Sequence, residues 1–153
     1  MSLEQEFELI RRVPIFSTTD PAMQKLLCFS AERLTYEAGQ VMFNAGDAAD
    51  AAFIIIEGTV EISVPTPSGP IIVNNLSKNE ILGEIAIFGD VPRTATAKAT
   101  SKLETLKISK DMFVKVIREN PDAAVELIKI LAGRLANTTS QLTQTRSGGA
   151  STR

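Results

Sequence analysis

The chain has 153 residues, of which 44% are hydrophobic and 22% charged, and its formal net charge is -2. Such a length supports one domain with a core that needs no staples, and so mild a charge recruits neither nucleic acid nor an anionic membrane. The longest apolar run, Ala51–Ile56, is far too short to span a bilayer.

The N-terminus lacks the basic-then-apolar pattern of a secretory signal. A single cysteine, Cys28, cannot form an internal disulfide, which fits a reducing cytoplasm. There is no histidine, so histidine triads, histidine bases and histidine-ligated zinc are excluded. The sequence also carries no G-x-S-x-G, no P-loop pattern and no C-x-x-C. A binding module is therefore expected, with no catalytic residue, no metal site and no cofactor.

In chain order, Leu3, Phe7 and Ile10 recur at helical spacing over residues 3–12, and Val13-Pro14 stops the helix. Thr19-Asp20-Pro21 reads as a cap and first turn for a short helix carrying Met23, Leu26 and Leu27. From Glu32 the period becomes two. Strands are expected at 32–36, 41–44, 52–57, 59–64, 70–76, 80–83, 94–99 and 102–108, punctuated by Gly39, Gly46, Gly58 and Pro67-Ser68-Gly69. Eight short strands at this spacing predict a mainly β, eight-stranded jelly roll (a double-stranded β-helix) flanked by helices.

Ser109-Lys110-Asp111 caps a helix through Glu119, and Asn120-Pro121 breaks it and starts a longer one. There Ala124, Ile128, Leu131, Leu135, Thr138 and Leu142 follow heptad spacing, the pattern of a helix that pairs with another helix. Leu127 and Ile130 flank this seam and are placed against the β body. The organisation expected is one domain over residues 1–146: N-terminal helices (1–31), β-roll (32–108) and C-terminal helices (109–146). A small, polar, disordered tail follows at 147–153.

The chemistry concentrates in Leu82–Ala97, LGEIAIFGDVPRTATA. Gly83 permits close backbone approach ahead of a helical turn at Ile85–Phe88, whose first N–H groups suit an anion. Pro92 turns the chain back and presents Arg93, whose planar fork can grip a phosphate at two points. A phosphate repels Glu84, so a sugar hydroxyl is its sensible partner. An anion cradle, an arginine and a hydroxyl acceptor together suit a cyclic ribose phosphate. Taken without that setting, Glu84 and Arg93 would read as a surface ion pair worth about 0–1 kcal/mol.

Gly83-Glu84-Ile85-Ala86, followed after the right interval by Pro92-Arg93-Thr94-Ala95-Thr96, resembles the phosphate-binding cassette of cyclic-nucleotide-binding domains. That family includes bacterial catabolite activator proteins, regulatory subunits of cyclic-AMP-dependent protein kinase and cyclic-nucleotide-gated channels. Val13-Pro14-Ile15-Phe16, the glycine turns at Glu37–Gln40 and Asn44–Asp47, and Ile54–Val60 resemble further parts of it, so the likeness covers almost the whole chain.

The resemblance implies that Arg93 pairs with the cyclic phosphate and Glu84 accepts from the ribose 2′-hydroxyl. Gly83 lies beside the ribose, and backbone N–H groups among Ile85, Ala86, Thr94 and Ala95 complete the cradle. Val73 and Leu82 are placed under the base. Thr94 permits cyclic GMP without requiring it. Arg134-Leu135-Ala136-Asn137-Thr138-Thr139 resembles the dimer helix of the bacterial members, in which paired hydroxyl residues reach the adenine. Thr138 and Thr139 tilt the expectation towards cyclic AMP.

The function expected is that of a cytoplasmic cyclic-nucleotide sensor that binds one cyclic mononucleotide. It would form a homodimer through the C-terminal helix and signal to an effector protein by moving its C-terminal helices about a hinge at Phe113–Pro121. Direct nucleic-acid or membrane binding is not expected. The alternatives are the ligand-binding piece of a larger cyclic-AMP-responsive transcription regulator, and a jelly-roll interaction domain that binds no nucleotide. A cupin-like metalloenzyme fails for want of histidine.

Overall fold

The computed structural model describes residues 2–151; among them are six helices and eight strands. The N-terminal helices are α1 (Leu3–Arg12), α2 (Pro14–Ser17) and α3 (Pro21–Ser30). Ser2 and Gln5 form a reciprocal capping box on α1, with Ser2 Oγ accepting from the Gln5 N–H at 3.2 Å and Gln5 Oε1 from the Ser2 N–H at 2.8 Å. Asp20 caps α3 by accepting from the Met23 N–H at 3.1 Å. Val13 does end α1, but Pro14 then starts a further turn, because proline's missing N–H costs nothing at a helix start. In α3 Gln24, Leu27 and Cys28 are buried, whereas Leu26 points outward, 43% exposed.

The strands are β1 (Glu32–Tyr36), β2 (Val41–Phe43), β3 (Ala51–Glu57), β4 (Val60–Val64), β5 (Ile71–Leu76), β6 (Ile81–Leu82), β7 (Thr96–Ala99) and β8 (Leu103–Ser109). They form two antiparallel four-stranded sheets, β1-β8-β3-β6 and β2-β7-β4-β5. Gly39, Gly46 and Gly58 all adopt positive φ in the turns. Gly58 has a second reason to be glycine, since a Cβ there would lie 2.3 Å from the Lys102 carbonyl oxygen.

The run Ala51–Ile56 shows how two cores are built from one strand. All six residues are buried, and they sort by period two. Ala52, Ile54 and Ile56 join Leu106 and Ile108 beneath the helices, whereas Ala51, Phe53 and Ile55 join Val60, Leu76 and Leu103 between the sheets. A strand apolar on both faces therefore marks the layer shared by the two cores. Each fully buried isoleucine here contributes about 1.5–3 kcal/mol.

Between β6 and β7 lies a short helix, α4 (Glu84–Gly89), entered through Gly83 at φ +87° and left through Asp90 at φ +51°. The C-terminal helices are α5 (Lys110–Glu119) and α6 (Pro121–Ser151). Ser109 caps α5 by accepting from the Met112 N–H at 3.3 Å. Asn120 interrupts the helices, and its Nδ2 donates to the Val116 carbonyl at 2.8 Å.

Helix α6 departs from expectation in two ways. The stretch expected to be a disordered tail continues as helix to Ser151; Thr152 and Arg153 lie outside the described residues. The heptad seam also divides. Ile128 and Leu135 are 65% and 68% exposed, but Leu131, Leu135 and Thr138 border a cavity of their own chain. Leu127 and Ile130 pack as expected, against the core that includes Ala52, Ile54 and Leu106. No helix among the described residues is long and apolar enough to cross a membrane.

Candidate ligand-binding site

A cavity of about 460 Å³ opens between the second sheet, α4 and α6, within the range usual for small-molecule sites. Its floor is apolar, from Phe43 of β2, Ile62 and Val64 of β4, and Val73 and Leu76 of β5. Leu82, Gly83, Glu84 and Ala86 form one wall, and Arg93, Thr94 and Ala95 another. Leu131, Arg134, Leu135 and Thr138 of α6 lie across it.

Arg93 is only 5% exposed. Its backbone is held by the Gly46 turn: the Arg93 N–H donates to Asp47 O at 2.8 Å, and the Gly46 N–H donates to Arg93 O at 2.8 Å. The side chain is held as firmly. Nη1 donates to Gly83 O and Nη2 to Ala51 O, both at 2.7 Å, and the guanidinium carbon lies 4.2 Å from the Phe43 ring centroid. Gly83 must be glycine both for its positive φ and because a Cβ would come within 2.6 Å of Arg93 Nη1. Burial pulls the Arg93 guanidinium below the ordinary arginine range, opposed by the carboxylates of Asp50, Glu84 and Asp47.

Glu84 is 1% exposed, and its partner is Arg134 of α6 rather than Arg93. Arg134 Nη1 donates to Glu84 Oε1 while Nη2 donates to the Ile81 carbonyl, tying α6 to both β6 and α4. The reading of Glu84 and Arg93 as a mutual surface pair is therefore wrong: the two are buried, and each bonds to other groups. A second tie joins α6 to β5, where Asn137 Nδ2 donates to Asn74 Oδ1 at 3.0 Å.

Of the residues singled out from sequence, Val73, Leu82, Gly83, Glu84, Ala86, Arg93, Thr94, Ala95 and Thr138 all border this one cavity. Ile85 lies in α4, its side chain outside the described residues. Thr139 is exposed and does not border the cavity; the 100° step of a helix carries it off the face that Thr138 occupies. Sequence reasoning missed Phe43, Asn74 and Arg134 as site residues. Arg134 was within reach, since it lies one turn before Thr138 and so shares its face. Phe43 carried no signal beyond strand alternation.

A β-sheet cavity with a buried arginine, a buried glutamate and an apolar floor has the chemistry to hold a small polar anion. The chain belongs to the cyclic nucleotide-binding domain family, whose profile matches residues 33–120. It is 26% identical over 136 residues to the CRP-like cAMP-activated global transcriptional regulator of Mycobacterium tuberculosis, covering 88% of this chain and 61% of that protein. It is 28% identical over 110 residues to the cAMP-dependent protein kinase regulatory subunit of Eremothecium gossypii, covering 72% of this chain and 23% of that one. The catabolite activator protein of Thermus thermophilus superposes with a TM-score of 0.71 at 25% identity, covering 87% of this chain and 63% of that structure. The chain thus spans less than two thirds of the length of these relatives.

Proposed function

We propose that this protein is a regulatory sensor for a cyclic mononucleotide, cyclic AMP in preference to cyclic GMP. One observation carries the reading: Glu84 and Arg93, 1% and 5% exposed, border the same apolar-floored cavity. Burying a charge is costly even where it is paired. A phosphate at Arg93 and a ribose hydroxyl at Glu84 use both, with Ala86, Thr94 and Ala95 around the phosphate and Val73 and Leu82 beneath the base. Thr138 reaches the base from α6, and the likeness to the cAMP-activated regulator of M. tuberculosis supports the adenine preference.

Signalling follows from α6. Glu84 accepts from Arg134, so a hydroxyl arriving at Glu84 must share that carboxylate with the helix. Ligand shifts α6 only to the extent that it favours one arrangement. Phe88 of α4 meets Phe113 of α5 edge-on at 5.4 Å, and Phe113 meets Phe16 at 6.3 Å, which supports Phe113–Pro121 as the segment that moves. The role is regulatory rather than catalytic, and the compartment is the cytoplasm. The strand order is read as a jelly roll.

The exposed Val125, Ile128 and Leu135 support a homodimer through α6, in which Thr139 would face the second chain. Light scattering should then give twice the monomer mass, and a monomer at high concentration rejects the pairing. A second reading, a sensor module within a longer transcription regulator, is favoured by the 61% span of the M. tuberculosis relative.

The deciding experiment is a thermal melt with cyclic AMP, cyclic GMP, AMP and a cyclic dinucleotide. A ligand present at a hundred times its Kd stabilises the fold by about 2.7 kcal/mol. Cyclic AMP should raise Tm most. No shift with either cyclic mononucleotide at millimolar concentration rejects the sensor reading.

A further inference from the structure

We infer that Phe43 is a positioning residue for Arg93, an aromatic platform that holds the guanidinium in place at the cavity. The inference rests on the reading of Arg93 as the phosphate-binding group.

A planar guanidinium has two faces and a donor edge, and the structure accounts for most of them. The Phe43 ring lies 4.2 Å from the Arg93 guanidinium carbon, well within cation–π distance. The Phe43 ring is itself stacked on Phe53 at 6.1 Å with 26° between planes, and Phe53 is buried in the core between the sheets. Core, ring and cation thus form a three-layer stack anchored on β3.

Along the donor edge, Nη1 and Nη2 are engaged by Gly83 O and Ala51 O. Nε is buried and has no hydrogen-bond partner among the described residues. A buried donor left unpaired is costly, and this one sits on a side chain that borders the cavity. The stack and the two carbonyls hold the guanidinium plane, so Nε–H waits as the unused donor for an anionic oxygen.

Leucine is apolar at this position but offers no π face, so it separates positioning from simple filling. Isothermal titration with cyclic AMP on wild type, Phe43→Leu, Phe43→Tyr, Arg93→Gln and the Phe43→Leu/Arg93→Gln double variant tests the role. In parallel, the Arg93 Nε–Hε resonance is followed by ¹⁵N NMR without ligand and assigned by its loss in Arg93→Gln.

Phe43→Leu should bind about tenfold more weakly, consistent with the strength of a desolvated cation–π contact, and Phe43→Tyr should bind like wild type. The Phe43→Leu loss should shrink in the Arg93→Gln background. The ring-shifted Nε–Hε resonance of wild type should move towards the free-arginine position in Phe43→Leu. Wild-type affinity in Phe43→Leu, or a loss that persists undiminished without the arginine, overturns the inference while leaving the sensor reading intact. If wild type binds no cyclic nucleotide, the sensor reading falls and the proposed role falls with it; an Nε–Hε shift that depends on Phe43 would then show only a structural stack.

Discussion

The core beneath the helices and the cavity beneath α6 are built on contrary principles. Ile54 lies in a core cluster of apolar side chains. Around Arg93 the apolar floor is interrupted by the buried Glu84 and Arg93 and the half-buried Arg134, whose charges are answered by carbonyls or a counter-charge. The first arrangement supplies stability and tolerates no water. The second invests part of that stability in holding charges where solvent would otherwise take them, which is sensible only if something else comes to use them.

This contrast can be broken deliberately. Arg134→Ala leaves Glu84 buried without its counter-charge and should cost about 3–5 kcal/mol, the usual result of removing one partner of a buried pair. The loss should be local first: hydrogen exchange along α6 should accelerate before the sheet amides respond. A variant as stable as wild type, with α6 protection unchanged, would show that the pair does not hold the helix.

Ile54→Ala attacks the other region. It deletes a fully buried side chain and should cost about 2–5 kcal/mol in urea unfolding. Here the loss should be global, with nucleotide affinity of the folded fraction unchanged. A fall in affinity would mean that the two cores are not energetically separate.

The smallest effect is expected from Arg33→Ala. Its pair with Glu104, at 2.7 Å, has both side chains 32% exposed, and such pairs contribute about 0–1 kcal/mol. Measured beside Arg134→Ala, it tests whether burial rather than pairing sets the energy. Equal costs for the two would refute the distinction between the regions.

Much of this molecule was legible before any coordinates. The eight strands fall within one or two residues of their expected bounds, because period-two alternation and turn glycines are local signals. The cassette was legible for a similar reason: Gly83, Glu84 and Arg93 lie close together along the chain. What stayed hidden depends on distant segments. The Glu84–Arg134 pair joins residues 50 apart and the Asn74–Asn137 pair residues 63 apart. Thr139 looked equivalent to Thr138 because composition does not say which side of a helix meets the sheet.

The heptad seam marks the boundary between the two kinds of knowledge. By itself the sequence determined that α6 has an apolar stripe, since spacing alone sets which side chains share a helix face. Only the tertiary structure decided that Leu131, Leu135 and Thr138 lie over this chain's own cavity. An apolar stripe is indifferent to what covers it, and the partner is chosen by the shape and charge of whatever surface the rest of the fold brings near. Here that choice is made by the reach of Arg134 to Glu84 and to Ile81.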